Sequence, residues 1–255
     1  MTFLTALDSR FAPRPDPART GWLARWTYAH RGRHGPGVPE NSLAAFAGAV
    51  EAGLGIECDI QRSRDGAAML VHDWDLRRLT GLEGRLADHS AEELAQIAFL
   101  DSEHRLARLE DLLALVEGKV PILVEIKSRR AYDVEDSCAA VATALADYRG
   151  KAAVMSFDPR VCRWFARHAP AVTRGLVMRE DHVGMTRKAW QRHLALWAAR
   201  PEFLAYHIAA LPNRMVGNLR AQGLPILTWT VDDAEKLARA GAFADAAIAE
   251  GAGLV

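Results

Sequence analysis

Residues 57–73 read Glu57-Cys58-Asp59-Ile60-Gln61-Arg62-Ser63-Arg64-Asp65-Gly66-Ala67-Ala68-Met69-Leu70-Val71-His72-Asp73. In a strand, residues i and i+2 project from one face, so Glu57 and Asp59 point together and Cys58 points away into a core. Asp65-Gly66 is a two-residue hairpin signal, because such a turn needs positive φ at its centre. A hairpin centred there pairs Arg64 with Ala67, Arg62 with Met69, Ile60 with Val71 and Asp59 with His72. Direct cross-strand partners share a face. The expected register therefore sets an imidazole beside two carboxylates, and Leu54, Ile56, Ile60, Leu70 and Val71 imply that the strand pair is largely buried.

Outward from the hairpin, apolar runs alternate with helical patterns. Strands are expected near 26–30, 54–60, 120–126, 152–157, 172–178, 203–207, 225–231 and 245–249. The strand at 67–72 follows its predecessor by a link too short for a crossover helix, so it must be antiparallel. Eight parallel strands with intervening helices in a chain of this length indicate an α/β fold, a (β/α)8 TIM-type barrel with one antiparallel hairpin strand and a short insertion. An open doubly wound sheet is the runner-up. Residues 1–255 are read as one domain with an N-terminal extension, 1–25, and a short insertion at about 74–109 that carries a capping-box pattern, Ser90-Ala91-Glu92-Glu93. Nothing after the eighth strand is long enough for its helix, and the extension is expected to cover that gap or the barrel floor. Trp190, Leu194 and Trp197 read as helix packing rather than as a lipid platform.

The 255 residues carry 32 basic and 32 acidic side chains and are 50% hydrophobic, which is ordinary for a globular protein. Zero formal charge argues against a general nucleic-acid or membrane-surface binder, though not against a local basic site. Cys58, Cys138 and Cys162 fit no metal spacing and read as free thiols. With no signal-peptide core and no apolar run of membrane-spanning length, a cytoplasmic setting without a stable membrane anchor is expected.

Active sites of such barrels lie at the C-terminal ends of the strands. There the first strand ends at His30-Arg31-Gly32, the second carries Glu57 and Asp59, and the third ends Glu125-Ile126-Lys127, with His72 returning on the hairpin. Burying this many ionisable groups unpaired would cost several kcal/mol per ion, so the site needs a ligand. Three carboxylates favour a hard cation, Mg²⁺ or Ca²⁺, over zinc. Arg31 and Lys127 suit a phosphate, and two imidazoles suit proton transfer in and out. Phosphoryl transfer fits this set.

The blocks His30-Arg31-Gly32, Pro39-Glu40-Asn41-Ser42-Leu43-Ala44-Ala45-Phe46, Glu57-x-Asp59, Asp65-Gly66, His72-Asp73-x-x-Leu76, Arg78, Thr80-Gly81, Glu125-Ile126-Lys127, Ser156-Phe157-Asp158-Pro159 and Thr228-Trp229-Thr230-Val231 resemble the glycerophosphodiester phosphodiesterases, within the phospholipase-C-like barrels. The resemblance spans about residues 26–251. It implies a metal-dependent hydrolase of lipid metabolism that splits a glycerophosphodiester into glycerol phosphate and an alcohol, commonly through a cyclic phosphate formed by the neighbouring glycerol hydroxyl. It further implies His30 and His72 as the acid/base pair and Glu57, Asp59 and Glu125 as metal ligands. Arg31 and Lys127 would be phosphate contacts, Trp229 a pocket wall, and Glu250 a substrate contact at a strand end where Ala249 replaces a common threonine. His207 fits either pocket lining or structure. The alternatives are a lysophospholipase-D-like activity on lysophospholipids and a non-catalytic phosphodiester-binding barrel.

Overall fold

The computed structural model describes residues 3–12, 14–129 and 133–254. Its strands are β1 (Tyr28–Ala29), β2 (Gly55–Arg62), β3 (Ala68–Leu70), β4 (Ile122–Ile126), β5 (Ala152–Ser156), β6 (Thr173–Met178), β7 (Phe203–His207), β8 (Ile226–Val231) and β9 (Ala246–Ala249). They form one sheet in the order β1-β9-β8-β7-β6-β5-β4-β2-β3, and β1 also pairs with β2. That last pairing closes the sheet, which excludes the open doubly wound alternative. The fold is a (β/α)8 barrel with β3 as the antiparallel hairpin strand.

By contact the chain groups into two compact units, residues 29–152 and residues 1–28 with 153–255. In the first, Ser42 caps helix Leu43–Glu51 by accepting from the Ala45 amide at 3.1 Å. Strand β4 starts two residues later than expected, because Pro121 has no amide to give and serves only as acceptor for Ile56 N–H. The insertion has its own apolar floor of Met69, Val71, Leu76, Leu79, Leu86, Leu94, Phe99 and Leu106, and Ser90 and Glu93 form the expected capping box.

In the second unit, Asp158, Asn213 and Asp233 cap the helices Pro159–His168, Arg214–Ala221 and Ala234–Phe243. Asp232, one residue before the last of these caps, pairs its carboxylate with Lys236 across one helical turn. After β9 only the short turn Gly251–Gly253 follows. The turn Leu23–Arg25 packs against β8 and β9, so the N-terminal extension does cover part of that end. Trp197 stacks against Phe11, whereas Trp190 and Leu194 lie exposed on helix Ala189–Ala199. The packing reading holds for one of the three.

The expected hairpin register is corrected. Ile60 pairs with Leu70, Gln61 with Met69 and Arg62 with Ala68, so Asp59 and His72 are not cross-strand partners. The loop holds three residues, Arg64-Asp65-Gly66, with Gly66 at φ 94°. Ser63 Oγ donates to Asp65 Oδ1 at 2.6 Å and accepts from the Ala67 amide at 2.9 Å, and Asp65 also accepts from the Ala91 amide. These side-chain bonds, with Gly66 N–H on Ser63 O at 3.1 Å, stabilise the three-residue loop over the two-residue turn.

Candidate active site

The carboxylates come from two neighbouring strands of the first unit. Parallel pairing sets Asp59 opposite Glu125, and Glu57 lies two residues back on the Asp59 face. One oxygen from each of Glu57, Asp59 and Glu125 lies within 4.8 Å of the others, and all three residues are buried. Lys127, just past β4, places Nζ 2.7 Å from both Asp59 Oδ1 and Glu125 Oε1.

The segment after β1 is bent so that backbone as well as side chains reach this cluster. Arg31 and Gly32 have φ of 55° and 80°. A Cβ on Gly32 would meet the Ala45 backbone and Cβ at 2.8 Å, so glycine is required by both conformation and space. The Arg31 amide donates to Glu57 Oε2 at 3.0 Å, and His30 Nε2 stands 4.0 Å from the same oxygen. The Arg31 guanidinium pairs with Glu40 at 2.8 Å and Asp59 at 3.2 Å. Asn41, fully buried at φ 54°, donates to Asp59 Oδ2 and accepts from the Asp59 amide, tying the loop to β2.

His72 arrives by a route the sequence reading did not contain. Buried Gln61, two residues beyond Asp59 on the same strand face, gives its side-chain amide to the carbonyls of Val71, His72 and Asp73 at 3.4, 2.8 and 2.5 Å. The last ladder bond runs from Val71 N–H to Asp59 O at 3.1 Å, and His72, one residue on, is aimed by this clasp rather than by strand pairing. His72 Nδ1 lies 2.7 Å from Asp73 Oδ1. Burial works against ionising Asp73, but bonds from Arg78 and His72 hold its carboxyl below the ordinary range. An ionised carboxylate only accepts, so Nδ1 is the donor in this bond and Nε2 is the ring nitrogen that the bond does not use. Arg78 continues the chain of charges, bonding both Asp73 and Glu40.

Electrostatically the cluster lacks one cation. Burial, then the neighbouring Asp59 charge, pushes the Glu57 carboxyl up to about 8. Burial opposes ionisation of Asp59 too, yet Lys127, His72 and Arg31 overcome it and hold that carboxyl well below the usual range. Arg31 and Lys127 form ion pairs with Asp59, Glu40 and Glu125, whereas Glu57 is met by the Arg31 amide and, at 4.0 Å, by His30. An all-oxygen cluster with a carboxyl this hard to ionise fits a hard divalent ion.

All seven residues expected in this unit, His30, Arg31, Glu57, Asp59, His72, Glu125 and Lys127, belong to this network or border it. Glu40, Asn41, Gln61, Asp73 and Arg78 are additions. The parity rule that selected Glu57 and Asp59 would also have selected Gln61, had neutral residues been followed along the strand. In the second unit, Trp229, at the C-terminal part of β8, is met edge-on by Phe157 at 5.5 Å and stacks against His207 at 4.9 Å. Arg179 lies 5.6 Å from the indole centre. Burial, then the Arg179 charge, lowers the His207 pKa, which favours a neutral ring in this wall. Glu250 follows the end of β9, its amide bonded to Val231 O.

Residues 30–251 match the model of the glycerophosphoryl diester phosphodiesterase family. A glycerophosphodiester phosphodiesterase from Caldanaerobacter subterraneus subsp. tengcongensis is 29% identical over 84% of this chain and 89% of its own. A probable glycerophosphodiester phosphodiesterase 1 of Mycobacterium tuberculosis is 29% identical over 82% of each chain. Among solved structures, an Oleispira antarctica phosphodiesterase in complex with the product sn-glycerol-3-phosphate superposes with a TM-score of 0.76 at 21% identity, over 95% of this chain and 94% of that one.

Proposed function

This chain belongs to the glycerophosphoryl diester phosphodiesterase family, and on that premise we propose how its residues divide the work. The protein is a metal-dependent hydrolase that splits glycerophosphodiesters into glycerol phosphate and an alcohol, with residues 1–255 acting as one catalytic domain. The observation that carries the reading is the set of Glu57, Asp59 and Glu125 oxygens within 4.8 Å of one another, bordered by two imidazoles.

Glu57, Asp59 and Glu125 would hold Mg²⁺ or Ca²⁺, which supplies Lewis-acid stabilisation of the charge developing on phosphate oxygens. His30 and His72 form the acid/base pair, one taking a proton from the attacking hydroxyl and the other giving one to the departing alcohol. Asp73, accepting from Nδ1, orients the His72 ring and so directs Nε2. Arg31 and Lys127, held against Asp59 and Glu125, would contact the phosphate. Trp229 and Glu250 contact the rest of the substrate. Among the described residues no helix is long and apolar enough to cross a membrane. A cytoplasmic site of action fits the three reduced cysteines.

The test follows release of glycerol phosphate from a panel of glycerophosphodiesters. Activity should vanish on exhaustive chelation and return with Mg²⁺ or Ca²⁺. His30→Ala and His72→Ala should each lose ~10²-fold or more in turnover. Near-full activity in both variants, or after chelation, would overturn the assignment. Tight binding of a diester without any product would favour the non-catalytic barrel.

A further inference from the structure

The connector between β6 and β7 holds apolar side chains in water by construction. Val183, Met185, Trp190 and Leu194 are 65%, 88%, 58% and 50% exposed. The loop beneath them is tied. Asp181 accepts from the Arg179 guanidinium and from the amides of Val183 and Gly184, and buried Thr186 donates to Arg179 O at 2.7 Å. A Cβ on Gly184 would lie 2.6 Å from Arg179 O, so the tight return needs glycine. Trp190 and Leu194 sit one turn apart on helix Ala189–Ala199, whose opposite face buries His193, Leu196 and Ala199.

The charges around this patch are unbalanced. Asp181 is engaged by Arg179, and Glu180 by Arg192, Tyr206 and Asn213. Arg187 and Lys188 stand exposed between Met185 and Trp190, so two positive charges flank the apolar residues and the local acids are already neutralised. A tryptophan and a methionine beside paired cations match the interface of an anionic bilayer, where an indole sits at headgroup level and cations meet lipid phosphates. Against a second copy of the chain, four apolar residues are few beside the ~20–30 per side of a stable dimer, and an isologous contact would oppose like charges.

We propose that the segment 182–194 is a peripheral docking surface for anionic lipid membranes. The same connector begins with Arg179, 5.6 Å from the centre of the Trp229 ring.

The test is sedimentation of the full chain with vesicles of phosphatidylcholine alone and of phosphatidylcholine with phosphatidylglycerol. The wild type should sediment with the anionic vesicles and release at high salt. The double variant Met185→Ala/Trp190→Ala should bind roughly tenfold more weakly, and Arg187→Glu/Lys188→Glu should lose the preference for anionic lipid. Both should keep wild-type thermal midpoints and turnover of a soluble glycerophosphodiester, which separates this proposal from the catalytic one. Failure of the wild type to bind either vesicle, or unchanged binding by the Ala pair, would overturn it. So would a wild-type dimer that dissociates in Trp190→Ala without any vesicle binding.

Discussion

Gln61 takes no charge and moves no proton, yet its amide reaches three successive carbonyls, of Val71, His72 and Asp73. Replacing it with the similarly sized Leu leaves those buried acceptors without their donor, and the backbone bearing His72 loses its clasp. Misplacing an acid/base group by an ångström costs on the order of 10²-fold in rate. Gln61→Leu should therefore lower kcat by ~10–10² while leaving the divalent-ion affinity near wild type, because Glu57, Asp59 and Glu125 are untouched. Steady-state kinetics beside a metal titration checks this, and a loss of metal affinity equal to the loss of rate would show that Gln61 acts on the carboxylates instead. Asp73→Asn tests the neighbouring bond. An amide nitrogen donating to Nδ1 would reverse the tautomer and mask Nε2, so turnover should fall ~10²-fold or more with the thermal midpoint little changed. The charged residues of the cluster were legible because charge clusters at strand ends demand explanation. Gln61 and Asn41 were not, since a neutral amide in a sequence does not announce which backbone it will hold.

At the scale of elements, the strands and helices could be read from periodicity, but the hairpin register could not. Asp65-Gly66 is compatible with two- and three-residue loops, and the choice rests on Ser63 Oγ and on the Ala91 amide, which arrives from the insertion. A one-residue change of register reverses every side chain of a strand. His72 still reaches the site because the chain leaves the ladder before that reversal applies to it. Glycines in these loops separate conformational from steric demand. Gly66, at φ 94°, has nothing within 4 Å of an added Cβ, whereas Gly32, at φ 80°, would strike Ala45 at 2.8 Å. Gly66→Ala should cost about 1–2 kcal/mol. Gly32→Ala should cost about 2–4 kcal/mol, because strain and overpacking add. Urea denaturation compares them, and equal losses would mean that the helix bearing Ala45 yields without penalty. Gly32→Ala should also slow turnover, since Arg31 and the Glu57 contact share its turn.

For the whole molecule, the buried cluster couples folding, protons and metal. The Glu57 carboxyl ordinarily titrates at 4.5 and is pushed to about 8 in the folded chain. Between those values the metal-free folded protein keeps a proton that the unfolded chain has released. Its stability therefore falls as pH rises through that window and levels off above about 8. A divalent ion needs the carboxylate, so binding expels the proton, and affinity should rise by about tenfold per pH unit up to about pH 8. Metal stabilises only the folded state, so the gain in thermal midpoint at a fixed ion concentration should be larger at about pH 8 than at about pH 6. Glu57→Gln, which carries no proton to expel, should flatten this dependence as well as weaken the ion. Calorimetry with Mg²⁺ and with Ca²⁺ at the two pH values measures it. An equal gain at both would mean that Glu57 is ionised in the metal-free protein, with Arg31 and His30 supplying enough positive charge that the three carboxylates need no further cation to fold.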